Sequence, residues 1–243
     1  MRIAAIGNLL GLLSTAAFGQ EPDARRLLSQ AVAAQGSPEA IAAVKSLTAV
    51  ADCTGPGGDY REFRTEVVSL RPDRTLFRQT AGGRTVEFVV VGEVGWRRRP
   101  ETGAVEPLPE GMKGIVRGHE FHFLFLELDR RGQDPRLAGR DSVSGHLCLV
   151  VSMTEPGGRP SSVCLDEKTK LPLRLSFEPS GGPKPATIHV FPERWMEVAG
   201  IRWVEAFTLR QGEETFTYRY TTIRPNSVDP KIFQIPPEIS RKS

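Results

Sequence analysis

The chain has four histidines, and two of them stand together in His119-Glu120-Phe121-His122. A helical zinc hydrolase places its two imidazoles at i and i+4 on one face, with a glutamate between them as general base. Here the spacing is i, i+3, and no cysteine or further histidine lies nearby to complete four ligands. The pair therefore reads as solvated or interfacial, with no metal expected. His146 and His189 stand alone in strand-like runs and read as structural. A serine nucleophile needs a sharp turn such as G-x-S-x-G, and none occurs. Ser142, Ser144, Ser161 and Ser162 lie among glycines and prolines, where turns use them. Gly55-Pro56-Gly57-Gly58 lacks both the Gly-Lys-Ser/Thr and the following helix of a phosphate loop. Arg97-Arg98-Arg99 reads as a solvated strand end, with contact to an acidic headgroup or partner as the alternative. No nucleophile–base pair is visible. The sequence supports neither catalysis nor a cofactor.

One charged residue breaks its local pattern. Ile201, Trp203, Phe207 and Leu209 fall on alternate positions, and Glu205 falls in the same series. A carboxylate on an oily face is costly unless paired or protonated. Glu205 thus marks a slipped strand or sheet rim, or else a polar anchor for a ligand headgroup. The three cysteines are too few for a disulfide scaffold and odd in number. Cys148 and Cys164 lie on consecutive predicted strands. They form either a bridge or two buried thiols, depending on turn register.

The elements that would position these residues are mostly strands. The most readable stretch is 139–178. A dense apolar run at 146–153 is followed by the turn chemistry of Pro156-Gly157-Gly158-Arg159-Pro160, a return at 162–166 and a second turn. Leu171, Leu173, Leu175 and Phe177 then alternate with Pro172, Arg174, Ser176 and Glu178, which predicts an antiparallel meander packed on one face. Earlier strands are predicted at 47–53, 60–70, 74–80, 85–91 and 94–99, and later ones at 186–198, 201–210 and 215–223. Phe216, Tyr218 and Tyr220 share a face of the last. Two amphipathic helices, at 22–34 and from Ser37, precede the strands. Residues 111–128 carry Ile115, Val116, Phe121, Leu124, Phe125 and Leu128 at helical intervals. They predict one helix, or two broken near Gly118; the alternation of Phe121, Phe123 and Phe125 is the strand alternative. Prolines 225, 230, 236 and 237 suggest a loose tail. The result is mainly β with some α: about eleven antiparallel strands in one large curved sheet, with helices over its concave face. A sheet of that size curls or closes.

Residues 1–19 read as a signal peptide: Arg2, an apolar run at 3–13, and Ala17-Phe18-Gly19 before Gln20. The run is shorter than the ~20 residues a bilayer span needs. The expected protein is periplasmic or secreted, with residues 20–243 as a single domain. A composition of 25% charged and 39% hydrophobic residues excludes a disordered tail and a membrane bundle. A net charge of +3 gives no basic surface for nucleic acid.

The segment from Leu165 through Thr169 to Leu171-Pro172-Leu173-Arg174 resembles the LD-x-x-T-gly-LP-x-R segment of LolA- and LolB-related lipoprotein carriers. Gly145-His146, the Val198-Ala199-Gly200-Ile201-Arg202-Trp203 turn and the Asn226-x-x-Asp229-Pro230-x-x-Phe233 ending are similar to the same group. The likeness covers nearly all of residues 20–243. It implies a half-open β-barrel, an apolar cavity, helices as a lid and, as in known relatives, binding of acyl chains or other lipids. It implies no catalytic residue.

The expected function is a non-enzymatic carrier or binding protein for a lipid-like apolar ligand. The alternative is an envelope structural or interaction module whose cavity is filled by its own side chains. Membrane or envelope proteins are candidate partners. The ligand-contacting set expected on the concave side is Trp203, Glu205 and Phe207, with Phe88 from the N-terminal half and Phe121 and Phe125 from the covering helix.

Overall fold

Asp23 caps the first helix, its carboxylate accepting from the Arg25 amide at 3.1 Å. That helix, α1 (Ala24–Ala33), buries Leu27, Leu28 and Ala31 on one stripe. Ser37 caps α2 (Pro38–Ala43), which has proline in its first turn, where a missing N–H does no harm. In this computed structural model the described residues are 23–155, 158–178 and 186–240. The expected leader at 1–19 lies outside them.

The strands are β1 (Ser46–Thr54), β2 (Glu62–Leu70), β3 (Arg74–Ala81), β4 (Arg84–Val91), β5 (Val94–Arg99), β6 (Ala104–Pro107), β7 (Gln133–Val143), β8 (His146–Thr154), β9 (Pro160–Asp166), β10 (Pro172–Phe177), β11 (Ile188–Val198), β12 (Ile201–Gln211) and β13 (Glu214–Pro225). Among the described residues they form one 13-stranded antiparallel sheet, ordered β6-β5-β4-β3-β2-β1-β13-β12-β11-β10-β9-β8-β7. Two wings of hairpins thus meet at a central seam where β1 pairs with β13. The free edges, β6 and β7, are consecutive in the chain. Three short helices join them: α3 (Glu110–Gly118), α4 (Phe121–Leu126) and α5 (Leu128–Arg131). The helical reading of 111–128 holds, with the break at His119-Glu120, and the strand alternative for the phenylalanines does not.

Helices α1, α2, α4 and α5 share one core with the inner face of the seam and the C-terminal wing, while α3 packs with Val67, Phe77 and Val90 in a separate cluster. In the shared core, Leu28, Phe125, Leu128, Val151, Leu165, Leu175, Ile201, Trp203 and Phe207 are each at most 2% exposed. Gln35 locks α1 to α4: its buried Nε2 donates to the Ala31 carbonyl at 3.0 Å and to that of Phe125 at 2.9 Å. Arg71 sits over the Phe123 ring at 4.3 Å, with Nη2 2.8 Å from Glu127 Oε1 but outside hydrogen-bond alignment.

Several expectations need correction. The strand count is thirteen, not eleven. β6 has only four residues, and β7 is almost wholly exposed, holds Pro135 and Gly139, and has two register shifts, so neither shows apolar alternation. The alternation 171–177 is broken by a register shift between Pro172 and Arg174; Pro172 and Leu175 are buried while Leu173 is half-buried. Arg97 and Arg98 are not a solvated end, for they pair with Glu106 and Glu87 on neighbouring strands. The tail is not loose. A 3-10 turn (Pro230–Phe233) and α6 (Pro237–Ser240) fold back on the outer face of the N-terminal wing, where Phe233 and Ile239 join Val68, Leu76, Val89 and Trp96 in a second core. Cys148 and Cys164 are joined as a disulfide across β8 and β9, while Cys53 is a buried free thiol.

Candidate functional site

Register builds the inner surface at the seam. Phe207 on β12 pairs with Tyr218 on β13, Tyr218 with Cys53 on β1, and Cys53 with Phe63 on β2. Cross-strand partners share a face, so this row of large side chains spans both wings on the concave side. A parallel row runs through Val67, Phe77 and Phe88 on β2, β3 and β4.

Helix α3 lies across these rows. Met112 and Val116 pack down onto Phe77 and Phe88. Two basic side chains moor it to the β4–β5 turn: Lys113 Nζ donates to the Glu93 carbonyl at 2.6 Å, and Arg117 to that of Gly92. Both moorings are on the N-terminal wing.

Between α3 and the seam lie two chambers. One, of ≈ 280 Å³, is floored by the C-terminal wing through Phe177, Ile188, Leu209 and Phe216, with Phe121 at its side. The other, of ≈ 340 Å³, is floored by the N-terminal wing through Phe63, Phe77 and Phe88. Ile115, His119, Phe216 and Tyr218 line both and form the wall between them. Ile115 and Tyr60, at 43% and 46% exposed, stand at the openings. Volumes of about 300 Å³ and up are those of small-molecule sites, lined mainly by apolar and aromatic groups with a few polar ones.

Burial shifts several titratable groups here towards their neutral forms. His119 stacks on Phe77, and its Nδ1–H donates to the Ile115 carbonyl at 2.8 Å. Surrounding protein holds its pKa below the usual imidazole value, only partly opposed by that bond. His122 is buried, contrary to the solvated reading, with Nε2–H donating to Val204 O at 2.9 Å and its ring edge-on to Tyr220. Its pKa is lowered to about 4 by desolvation. Glu120 accepts from Thr75 Oγ1 at 2.7 Å, yet burial pushes its carboxyl up. Burial likewise raises the Tyr218 and Tyr220 phenols, and the Cys53 thiol to about 12. Such groups suit an apolar ligand better than proton-transfer chemistry. Among the described residues, no cluster of three or more His, Cys, Asp or Glu stands close enough to hold a metal ion.

The expected contact residues fall into three settings. Phe88 and Phe121 line the chambers. Trp203, Phe207 and Phe125 are 1% exposed and packed solid beneath: Phe121 meets Phe207 at 5.3 Å between centroids, Phe125 meets Trp195 at 6.1 Å, and Trp203 Nε1 donates to Val198 O. Glu205 is neither at a rim nor in a chamber. It is the extra residue where β11 and β12 slip register, and it pairs with Arg194 at 3.0 Å. The dividing wall was missed. The alternation of Phe216, Tyr218 and Tyr220 was its only signal.

No family model matches the sequence, and no curated protein matches it. Solved structures do. A LolA superfamily protein from Nitrosomonas europaea superposes with a TM-score of 0.60 at 14% identity, over 88% of this chain and 98% of that one. A DUF1329 family protein from Desulfovibrio piger gives 0.60 at 13%, over 87% and 97%. An outer membrane lipoprotein-sorting protein domain from Vibrio parahaemolyticus gives 0.56 at 12%, over 87% and 96%. The chain has the LolA-like fold: a curved, open antiparallel sheet with helices over its hollow side.

Proposed function

We propose that this protein is an exported, non-enzymatic carrier or binding protein for a lipid-like ligand, held in the paired chambers beneath α3. The observation that carries the reading is the divided apolar space. Its lining is mainly aromatic and aliphatic, with Arg159, Gln211 and Gln79 as polar members, and its cover is moored to one wing only. Burial of each methylene of an acyl chain contributes about 0.8 kcal/mol, so even a short chain gains from entering. The lipoprotein-sorting structural neighbour supports the ligand class, and the leader-like sequence pattern of residues 1–19 supports export.

A naphthalene sulfonate dye should bind the native protein, and oleate should displace it. Phe216→Asp places a charge in both chambers on a half-buried strand position and should weaken dye binding while the circular dichroism melt stays cooperative. If native protein takes up neither dye nor oleate, the carrier reading fails and the interaction module takes its place.

A further inference from the structure

The outer face of the N-terminal wing carries a groove of ≈ 880 Å³, on the side of the sheet away from the chambers. Its floor is a ladder of charges on adjacent strands: Glu66, Arg78, Glu87 and Arg98 are successive direct partners on β2, β3, β4 and β5. Glu87, only 4% exposed, serves both arginines. Arg78 donates to its Oε1 through Nη2 at 2.6 Å and Nε at 2.9 Å, and Arg98 Nε donates to Oε2 at 2.6 Å. Arg78 also reaches Glu66. Two carboxylates and two guanidiniums leave the floor neutral and rigid.

The wall is different. It is the returning tail, pinned by buried Phe233 and Ile239. Beside these anchors, Ile232 just before Phe233 and Ile235 between Phe233 and Ile239 line the groove, 39% and 38% exposed. At the rim stand Arg224 and Lys231, whose guanidinium and ammonium have no carboxylate partner among the described residues. The nearby Asp229 is engaged in capping, accepting from the Lys231 amide at 3.0 Å. The groove therefore offers two cations without a carboxylate partner and one exposed carboxylate, Asp229, beside two exposed isoleucines, over a floor whose charges are paired.

We propose that this groove docks an extended, acidic segment of a partner protein, its carboxylates on Arg224 and Lys231 and its apolar side chains against Ile232 and Ile235. Dimensions favour a chain. The lining runs from β13 to β5, five strand steps of about 4.8 Å, or about 24 Å. An extended peptide covers that with about seven residues. Nucleic acid would find only two free cations and no exposed aromatic ring to stack on.

The test uses fluorescence anisotropy with a labelled peptide of about nine residues alternating glutamate and leucine, long enough for the span. Its glutamine counterpart and phosphatidylglycerol vesicles serve as comparisons. The acidic peptide should bind, more weakly as salt rises. Arg224→Glu with Lys231→Glu should weaken it about tenfold. Ile235→Ser alone should weaken it measurably, with the thermal melts of both variants unchanged. Equal binding of the glutamine peptide, or indifference to the charge reversal, overturns the proposal. So does binding of vesicles without binding of peptide. Dye and oleate uptake is read separately in the same variants, so loss of the chamber ligand and loss of the groove ligand are distinguishable.

Discussion

His119 lies flat against Phe77, their ring centroids 3.8 Å apart and their planes 23° from parallel. One contact thus fixes the wall between the chambers to the N-terminal wing, and with it the length of apolar space open to a single chain. His119→Ala should merge the two spaces. In dye-displacement assays against fatty acids of graded length, the preferred chain should lengthen by several methylenes, each contributing about 0.8 kcal/mol. Stability should drop by about 1 kcal/mol for the lost ring pair. An unchanged length preference would mean that His119 does not bound the ligand.

His122 makes stability depend on pH. Its folded pKa is about 4, below the ~6.5 of an unfolded histidine. The unfolded chain therefore binds the extra proton between those values, and stability falls as pH drops from about 6.5 towards 4, by at most ~3 kcal/mol. Glu120, with its pKa raised, acts in the opposite sense where the windows overlap, and His119 acts in the same sense as His122. Urea unfolding of wild type and His122→Gln at pH 7, 6 and 5, within that window, separates them. The wild type should lose more stability than the variant on acidification. Parallel profiles would show that His122 is not the group responsible.

The cysteines are countable. Native protein should react slowly with a thiol reagent, because burial pushes the Cys53 thiol up to about 12. Unfolding without reductant should reveal one thiol per chain, and unfolding with reductant three. Replacing Cys148 and Cys164 with alanine should cost about 3 kcal/mol for a bridge at a sequence separation of 16. Three thiols in the unreduced chain would refute the bridge.

The strands that were legible in the sequence are those with one wet and one dry face. β5 was read to the residue, and most others to within one or two, because alternation reports half-burial directly. β7 was invisible for the converse reason: most of this edge strand is exposed, and its half-buried residues, Pro135 and Leu137 among them, are too few to make an alternation. The tail reads as loose because its prolines mask two isolated buried anchors, Phe233 and Ile239. Glu205 was flagged by its pattern, but compensating bulges, with Glu193 the extra residue in β11 and Glu205 in β12, are pairing events between two distant segments. The same limit hid the wall. Ile115 and His119 lie about a hundred residues from Phe216 and Tyr218 in the chain, and only the crossing of α3 over the seam brings them together.

The seam has a further consequence, for the order of assembly. Each wing is built of neighbouring hairpins and can pair as it is made, but β1 must wait for β13, since Leu47 faces Pro225 and Ala49 faces Ile223. On a chain that emerges amino end first, the flank of β1 destined for β13 stays unpaired through the making of twelve further strands. Such distant pairing is slow, and an unpaired apolar flank is a template for the wrong neighbour. The nascent protein is therefore most prone to aggregate at Leu47, Ala49 and Ala51, and arrival of the last strand is the step that ends its vulnerability.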